Sequence, residues 1–179
     1  MSAYSIMITI FVQDCNQISQ SFYDSVINKL QFHQLTCSCG HSACLSIHGY
    51  YRRSVKTPDG LCSLRICRVI CSECGHTHAL LLSSIIPYSQ IPFVVQHQVI
   101  SSYEEGTVPS SVCERYLSID ENNVKHLIRS YRKRWREMLL SLSISLSSVI
   151  LLIRQCFLNY SAQFMQIHQG RHVLFSATT

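Results

Sequence analysis

Cys37-Ser38-Cys39-Gly40-His41-Ser42-Ala43-Cys44 is answered, about thirty residues downstream, by Cys71-Ser72-Glu73-Cys74-Gly75. Each run bunches thiols in a turn that a glycine can close, because glycine tolerates the left-handed backbone such turns need. Four thiolates arranged as two such pairs meet the demand of Zn2+ for a tetrahedron of ligands at about 2.3 Å. Between the pairs, Leu45-Ser46-Ile47-His48-Gly49-Tyr50-Tyr51 and Leu64-Arg65-Ile66-Cys67-Arg68-Val69-Ile70 have strand composition, and Thr57-Pro58-Asp59-Gly60 supplies turn residues. The expected unit is a zinc ribbon, a β-hairpin with a cysteine knuckle at each end. Cys37, Cys39, Cys71 and Cys74 are the favoured ligands. The Cys-x-Cys spacing is tighter than the usual Cys-x₂₋₄-Cys, so Cys44 stands as an alternative in the first pair. Four cysteines leave no open coordination position, and the metal's role would be structural. Loss of Cys71 or Cys74 should then unfold residues 37–80.

The rest of the composition fits this reading. Seven of the ten cysteines lie in residues 35–86. No basic run followed by an apolar core and a small-residue cleavage site opens the chain. A cytoplasmic location is expected, where thiols stay reduced and clustered cysteines bind metal. A redox role for Cys71 and Cys74 would call for a βαβ setting that the flanking sequence lacks. Cys15, Cys62, Cys67, Cys113 and Cys156 are read as free packed thiols. Charged residues make up 14% and hydrophobic residues 47%, which excludes an intrinsically disordered chain. The longest uncharged apolar run, 138–153, is shorter than the ~20 residues of a membrane span. It is also broken by five serines, so no membrane association is expected.

Composition divides the chain at 1–34, an N-terminal segment; 35–86, the ribbon; 87–140, helical in pattern; and 141–179, an apolar, serine-rich tail. In the first, Ile6, Ile8, Ile10 and Val12 alternate as a strand, and Ile18, Phe22, Val26 and Leu30 recur at helical spacing. In the third, Pro92 opens a helix that Gly106-Thr107 stops, and a short helix spans about 109–116. Ser118-Ile119-Asp120-Glu121 fits a capping box opening a long third helix. Val124, Leu127, Ile128, Tyr131 and Trp135 form its buried stripe. The fold class expected is α+β: a small ribbon, a three-helix helix-turn-helix unit and a helical apolar tail.

Eleven of the fifteen cations fall in two places. Arg52, Arg53, Lys56, Arg65 and Arg68 decorate the hairpin; Lys125, Arg129, Arg132, Lys133, Arg134 and Arg136 crowd the third helix. Such concentrated charge suits a polyanion, and phosphate contacts dominate nucleic-acid affinity. Double-stranded DNA is the expected partner. Lys125 and Arg129, early in the helix, are placed for base edges. Arg132, Lys133 and Arg136, with Arg52 and Arg53 on the hairpin, are placed for phosphates.

Residues 37–60, Leu64-Arg65-Ile66-Cys67-Arg68-Val69, 71–81, Pro87-Tyr88-Ser89-Gln90-Ile91-Pro92 and Phe164-Met165-Gln166-Ile167 together resemble a transposase-related bacterial family of unknown function. The order of ribbon and helix-turn-helix is more distantly similar to the N-terminal half of insertion-sequence transposases. That resemblance implies zinc on Cys37, Cys39, Cys71 and Cys74, although Cys-x-Cys departs from the transposases' usual Cys-x-x-Cys. Their catalytic half uses a carboxylate cage for two metal ions. No Asp or Glu follows Glu137 here, and no Gly-rich phosphate loop, G-x-S-x-G or H-E-x-x-H occurs. The expectation is a binding module and not an enzyme. Two other readings stand beside it: an adaptor docking or self-associating through 141–179, and a degenerate transposase remnant.

Overall fold

The computed structural model describes residues 6–107, 110–167 and 172–176. Its frame is a five-stranded sheet in the order β2-β3-β4-β1-β5. The strands are β1 (Ile6–Ile10), β2 (Leu45–Thr57), β3 (Gly60–Cys71), β4 (Thr77–Leu82) and β5 (Val173–Phe175). β2, β3 and β4 run antiparallel in turn, while β1 lies parallel to both β4 and β5. The helices are α1 (Gln20–Lys29), α2 (Phe93–Glu104), α3 (Ser110–Arg115), α4 (Glu121–Ser130), α5 (Arg136–Ser141) and α6 (Val149–Tyr160). The fold is mixed α+β, as the sequence predicts. None of the described helices is long and apolar enough to cross a membrane.

The hairpin forms where expected, with Thr57 opposite Gly60 and only Pro58-Asp59 at its tip. It is not a free-standing ribbon: β3 continues into β4, and β4 carries β1 and β5. The compositional segments at the two ends of the chain therefore supply strands to the same sheet. Met7 to Ile10 and Ala79 to Leu82 are buried at every position, not alternately. Strands in a parallel pair are covered on both faces, which removes the alternation a half-buried strand would show.

β3 pairs with β4 only at Arg68–Ile70, and side chains from α1 serve the backbone where the strands part. Gln20 accepts from the Arg65 N–H and donates to the Arg65 carbonyl. The Tyr23 hydroxyl accepts from the Cys67 N–H at 2.8 Å and donates to the Leu80 carbonyl at 2.9 Å. These bonds replace missing ladder bonds at a site where Tyr23 and Cys67 are both buried. Tyr23→Phe should cost about 1–3 kcal/mol, the penalty for stranding buried polar groups. A lowered urea midpoint at unchanged slope is the expected observation.

The three helices of residues 93–130 lie where the sequence places them, but the cap of α4 does not. Asp120 is the N-cap, accepting from Asn123 N–H, while the Asn123 side chain accepts from Asp120 N–H. The box is Asp-x-x-Asn, two residues beyond Ser118-x-x-Glu121. The Ser118 hydroxyl makes no hydrogen bond among the described residues, and the Ser118 carbonyl accepts from Lys56 Nζ.

α4 and α5 are joined through one π-helical turn, Tyr131–Trp135, in which the Arg136 N–H reaches back to the Tyr131 carbonyl. The wider turn keeps Tyr131, Trp135 and Leu139, spaced by four, on the buried side together with Val124 and Leu127. The tail is only partly helical. Residues 142–148 are irregular, α6 follows, and β5 closes the sheet beside β1. Phe164, Met165 and Gln166 are buried, with the Phe164 ring 5.4 Å from Trp135 and Gln163 donating to the Ser83 carbonyl. That end of the tail is core.

Candidate metal centre and basic surface

The two knuckles are built alike. Cys37 N–H donates to the His41 carbonyl, and the Cys37 carbonyl accepts from Gly40 N–H; Cys71 does the same with His76 and Gly75. Gly40 and Gly75 both have positive φ, at 91° and 71°. The first turn closes over one residue fewer than the second, so Cys-x-Cys suffices where Cys-x-x-Cys is usual. A hydrogen bond from Ser72 N–H to the Cys44 carbonyl ties one knuckle to the other.

The Sγ atoms of Cys37, Cys39, Cys71 and Cys74 lie within 4.8 Å of one another. Cys37 and Cys74 are 3.6 Å apart, and Cys39 and Cys71 3.8 Å. Ligands at about 2.3 Å on a tetrahedron stand roughly 3.8 Å apart, so the four thiols could hold a metal ion. All are free thiols. Cys44 sits 3.4 Å from Cys71, but its own thiol donates to the His41 carbonyl.

Two histidines join the cluster. His78, fully buried on β4, places Nε2 3.2 Å from Cys37 Sγ, and His41 places Nδ1 3.4 Å from Cys39 Sγ. His41 is two residues from Cys39, a visible signal; His78 reaches Cys37 only because β4 pairs with β3. The His41 backbone N–H and its imidazole hold the Cys39 thiol down at about 6. Burial pushes Cys37 up to about 12 and Cys44 up to about 11. Burial raises Cys71 as well, but hydrogen bonds with the Cys74 backbone and the Cys44 thiol outweigh it and leave Cys71 below the ordinary thiol value.

The structure separates the predicted DNA-contacting cations into two groups. Arg129, Arg132 and Lys133 are exposed and, with Lys125 and Ile128, line an open depression of about 550 Å³. Among the described residues Arg129, Arg132, Lys133 and the neighbouring Arg134 have no carboxylate partner, whereas Lys125 pairs with Glu121 at 3.2 Å and Arg136 with Glu104 at 2.8 Å. Arg52 is exposed on the hairpin. Arg53 is not available as a phosphate contact: its guanidinium donates to the Ile86 and Ser89 carbonyls. On the Arg52 face of the hairpin, Arg65, opposite Arg52 in the strand register, stacks over Tyr50 at 4.5 Å.

Residues 36–118 match a domain of unknown function, DUF6431. The similarity starts at the first knuckle and ends before α4. No curated protein and no solved structure matches the chain.

Proposed function

We propose that the chain is a zinc-stabilised, duplex-DNA-binding module, with residues 35–86 as a zinc ribbon built into the sheet and α2, α3 and α4 as a helix-turn-helix. Its relation would be to the binding half of transposases. The observation that carries the reading is the run of exposed cations at Arg129, Arg132, Lys133 and Arg134, which no described carboxylate neutralises. Charge held off from internal partners is available to phosphates, and each neutralised phosphate releases condensed counterions. Arg129, Arg132 and Lys133, at i, i+3 and i+4, line one open depression. Fluorescence anisotropy with labelled duplex tests the reading. Binding should fall steeply with salt, and salt-independent binding, or none, would sink it.

Zinc fits the centre because four thiolates at tetrahedral spacing are its habitual structural set. Cys44 is a neighbour of the metal on this reading, not a ligand. Cys44→Ser should retain one zinc per chain in elemental analysis, whereas Cys71→Ser should retain none; equal loss from both would place Cys44 in the ligand shell.

The module binds without cutting. No acid follows Glu137 in the sequence, and the acids flanking the basic helix, Glu104 and Glu121, are engaged by Arg136 and Lys125. Supercoiled plasmid should stay intact with Mg2+ or Mn2+. A second reading, an adaptor, is favoured by one observation: Leu151 and Leu158 on α6 are 57% and 82% exposed. Association that persists at high salt and is lost in Leu151→Asp/Leu158→Asp would support it over DNA binding.

A further inference from the structure

One side chain at the metal centre comes from the sheet and not from either knuckle. His78 lies on β4, opposite Val69 of β3 and Ile6 of β1 in the strand registers, and is fully buried. Its Nε2 stands 3.2 Å from Cys37 Sγ, and Cys37 is itself only 1% exposed. The ligand atoms that lie within 4.8 Å of one another are those of Cys37, Cys39, Cys71 and Cys74, and His78 is not among them. The imidazole therefore approaches Cys37 from outside the tetrahedron.

Four thiolates around one divalent cation leave the centre with excess negative charge, and buried charge is costly unless it is hydrogen-bonded. Metal ligands are accordingly held by donors from outside the ligand shell, and losing such a donor costs about 10- to 100-fold in metal affinity. The donors here differ in exposure. Cys39 is exposed; it receives the His41 backbone N–H and faces His41 Nδ1 at 3.4 Å, where water can substitute for the side chain. Cys37 is out of water's reach. The Cys39 backbone N–H and His78 serve it, while Ser38 Oγ stands further off at 3.9 Å. A coordinated thiolate can only accept, so the ring nitrogen that faces it carries the proton.

We propose that His78 is a positioning residue of the metal centre, donating its Nε2–H to the metal-bound Cys37 thiolate and setting how tightly the four thiolates hold the ion. The inference rests on the zinc reading of the centre and adds a part that lies outside both knuckles. Pairing of β4 with β3 and β1 delivers the donor, so the sheet as well as the cysteine turns determines the affinity. The bond also leaves an electronic mark. A hydrogen bond to sulfur stabilises its lone pair, so moving an electron from Cys37 onto a bound transition metal takes more energy with the bond than without it. His41 lacks this leverage because its contact is made at an exposed thiol.

Zn2+ competition against a chromophoric chelator and the visible spectrum of the Co2+-loaded full chain test it. His78→Gln keeps an N–H near the position of Nε2, and His78→Met has nearly the shape of that glutamine without a donor. Packing losses common to both variants therefore cancel when the two are compared. His78→Met should bind Zn2+ about 10- to 100-fold more weakly than His78→Gln. Its sulfur-to-Co2+ charge-transfer band should move to longer wavelength, while the d–d bands keep the energies of a four-thiolate tetrahedron. Spectra are taken at equal metal occupancy, so the band position does not depend on how much of a variant folds. His41→Ala should weaken Zn2+ less than His78→Met does. Equal Zn2+ affinity in the glutamine and methionine variants, or an unmoved charge-transfer band in His78→Met, would overturn the proposal. Altered d–d bands in His78→Met would overturn it too, by making His78 a ligand. An unaltered chain that takes up neither Zn2+ nor Co2+ defeats the metal reading itself, and shows this before any variant is made.

Discussion

Cys74→Ser should release the metal and abolish amide-exchange protection across residues 36–44 and 71–76, while β1 and β4 stay protected. In small zinc modules the metal supplies about 10–16 kcal/mol of apparent folding energy, because no site pre-exists in the unfolded chain. Sequence reasoning alone predicts collapse of everything from 37 to 80. The tertiary structure confines it. Leu64, Ile66 and Val69 of β3 are at most 1% exposed and belong to the same core as Ile8, Ile10 and Leu80, none of which needs the metal to be buried. The knuckles have no such support. Their turns rest on a few backbone bonds and on thiols that, without a cation, stand unshielded 3.6–3.8 Å apart. Hydrogen exchange followed by mass spectrometry, with and without chelator, measures the split. Loss of protection throughout the sheet would make the metal the keystone of the whole fold. Unchanged protection in chelator, with no metal found, would reduce the cluster to four packed thiols.

Replacing Arg129, Arg132 and Lys133 together by alanine should cost roughly 300-fold or more in duplex affinity near 0.1 M salt, about 60-fold from two phosphate contacts and a further ~1–3 kcal/mol from the base contact of Arg129. The slope of log K against log [salt] should shrink by about 1.8, at roughly 0.9 for each of Arg132 and Lys133. The three side chains are exposed and make no ion pair among the described residues, so the fold should be unaffected. Lys125→Ala and Arg136→Ala should each do less. Their charges are already partly offset by Glu121 and Glu104, and an exposed pair of this kind is worth only about 0–1 kcal/mol. Arg53→Ala should leave the salt slope alone and instead loosen the 86–91 loop that its guanidinium ties down. A triple variant with wild-type affinity would mean that the helix face is merely solvated, and the exposed leucines of α6 would become the better interface.

The amino-acid sequence determined the elements whose information is local. Each cysteine knuckle is a turn of a few residues, so spacing and glycine alone favoured Cys37, Cys39, Cys71 and Cys74, with Cys44 left as an alternative in the first pair. The hairpin was legible because Pro58-Asp59-Gly60 can only turn, and the α4 stripe because Val124, Leu127, Tyr131 and Trp135 recur at helical spacing. What only the tertiary structure decided involves partners far apart in the chain. Strand β5 is three residues long, too short to carry a pattern, and exists because β1 offers an open edge. His78 meets Cys37 across 41 residues through strand pairing. Arg53 and Arg52 look identical in sequence, yet alternation along β2 sends one guanidinium to the 86–91 loop and leaves the other in solvent. The α4 cap is Asp120 and not Ser118, because Asp120 and Asn123 bond each other's backbone N–H groups, while Lys56, 62 residues earlier, holds the Ser118 carbonyl. Local turns and periodicities are properties of neighbouring residues; which polar group satisfies which, once both are buried, is settled only by the packing that brings them together.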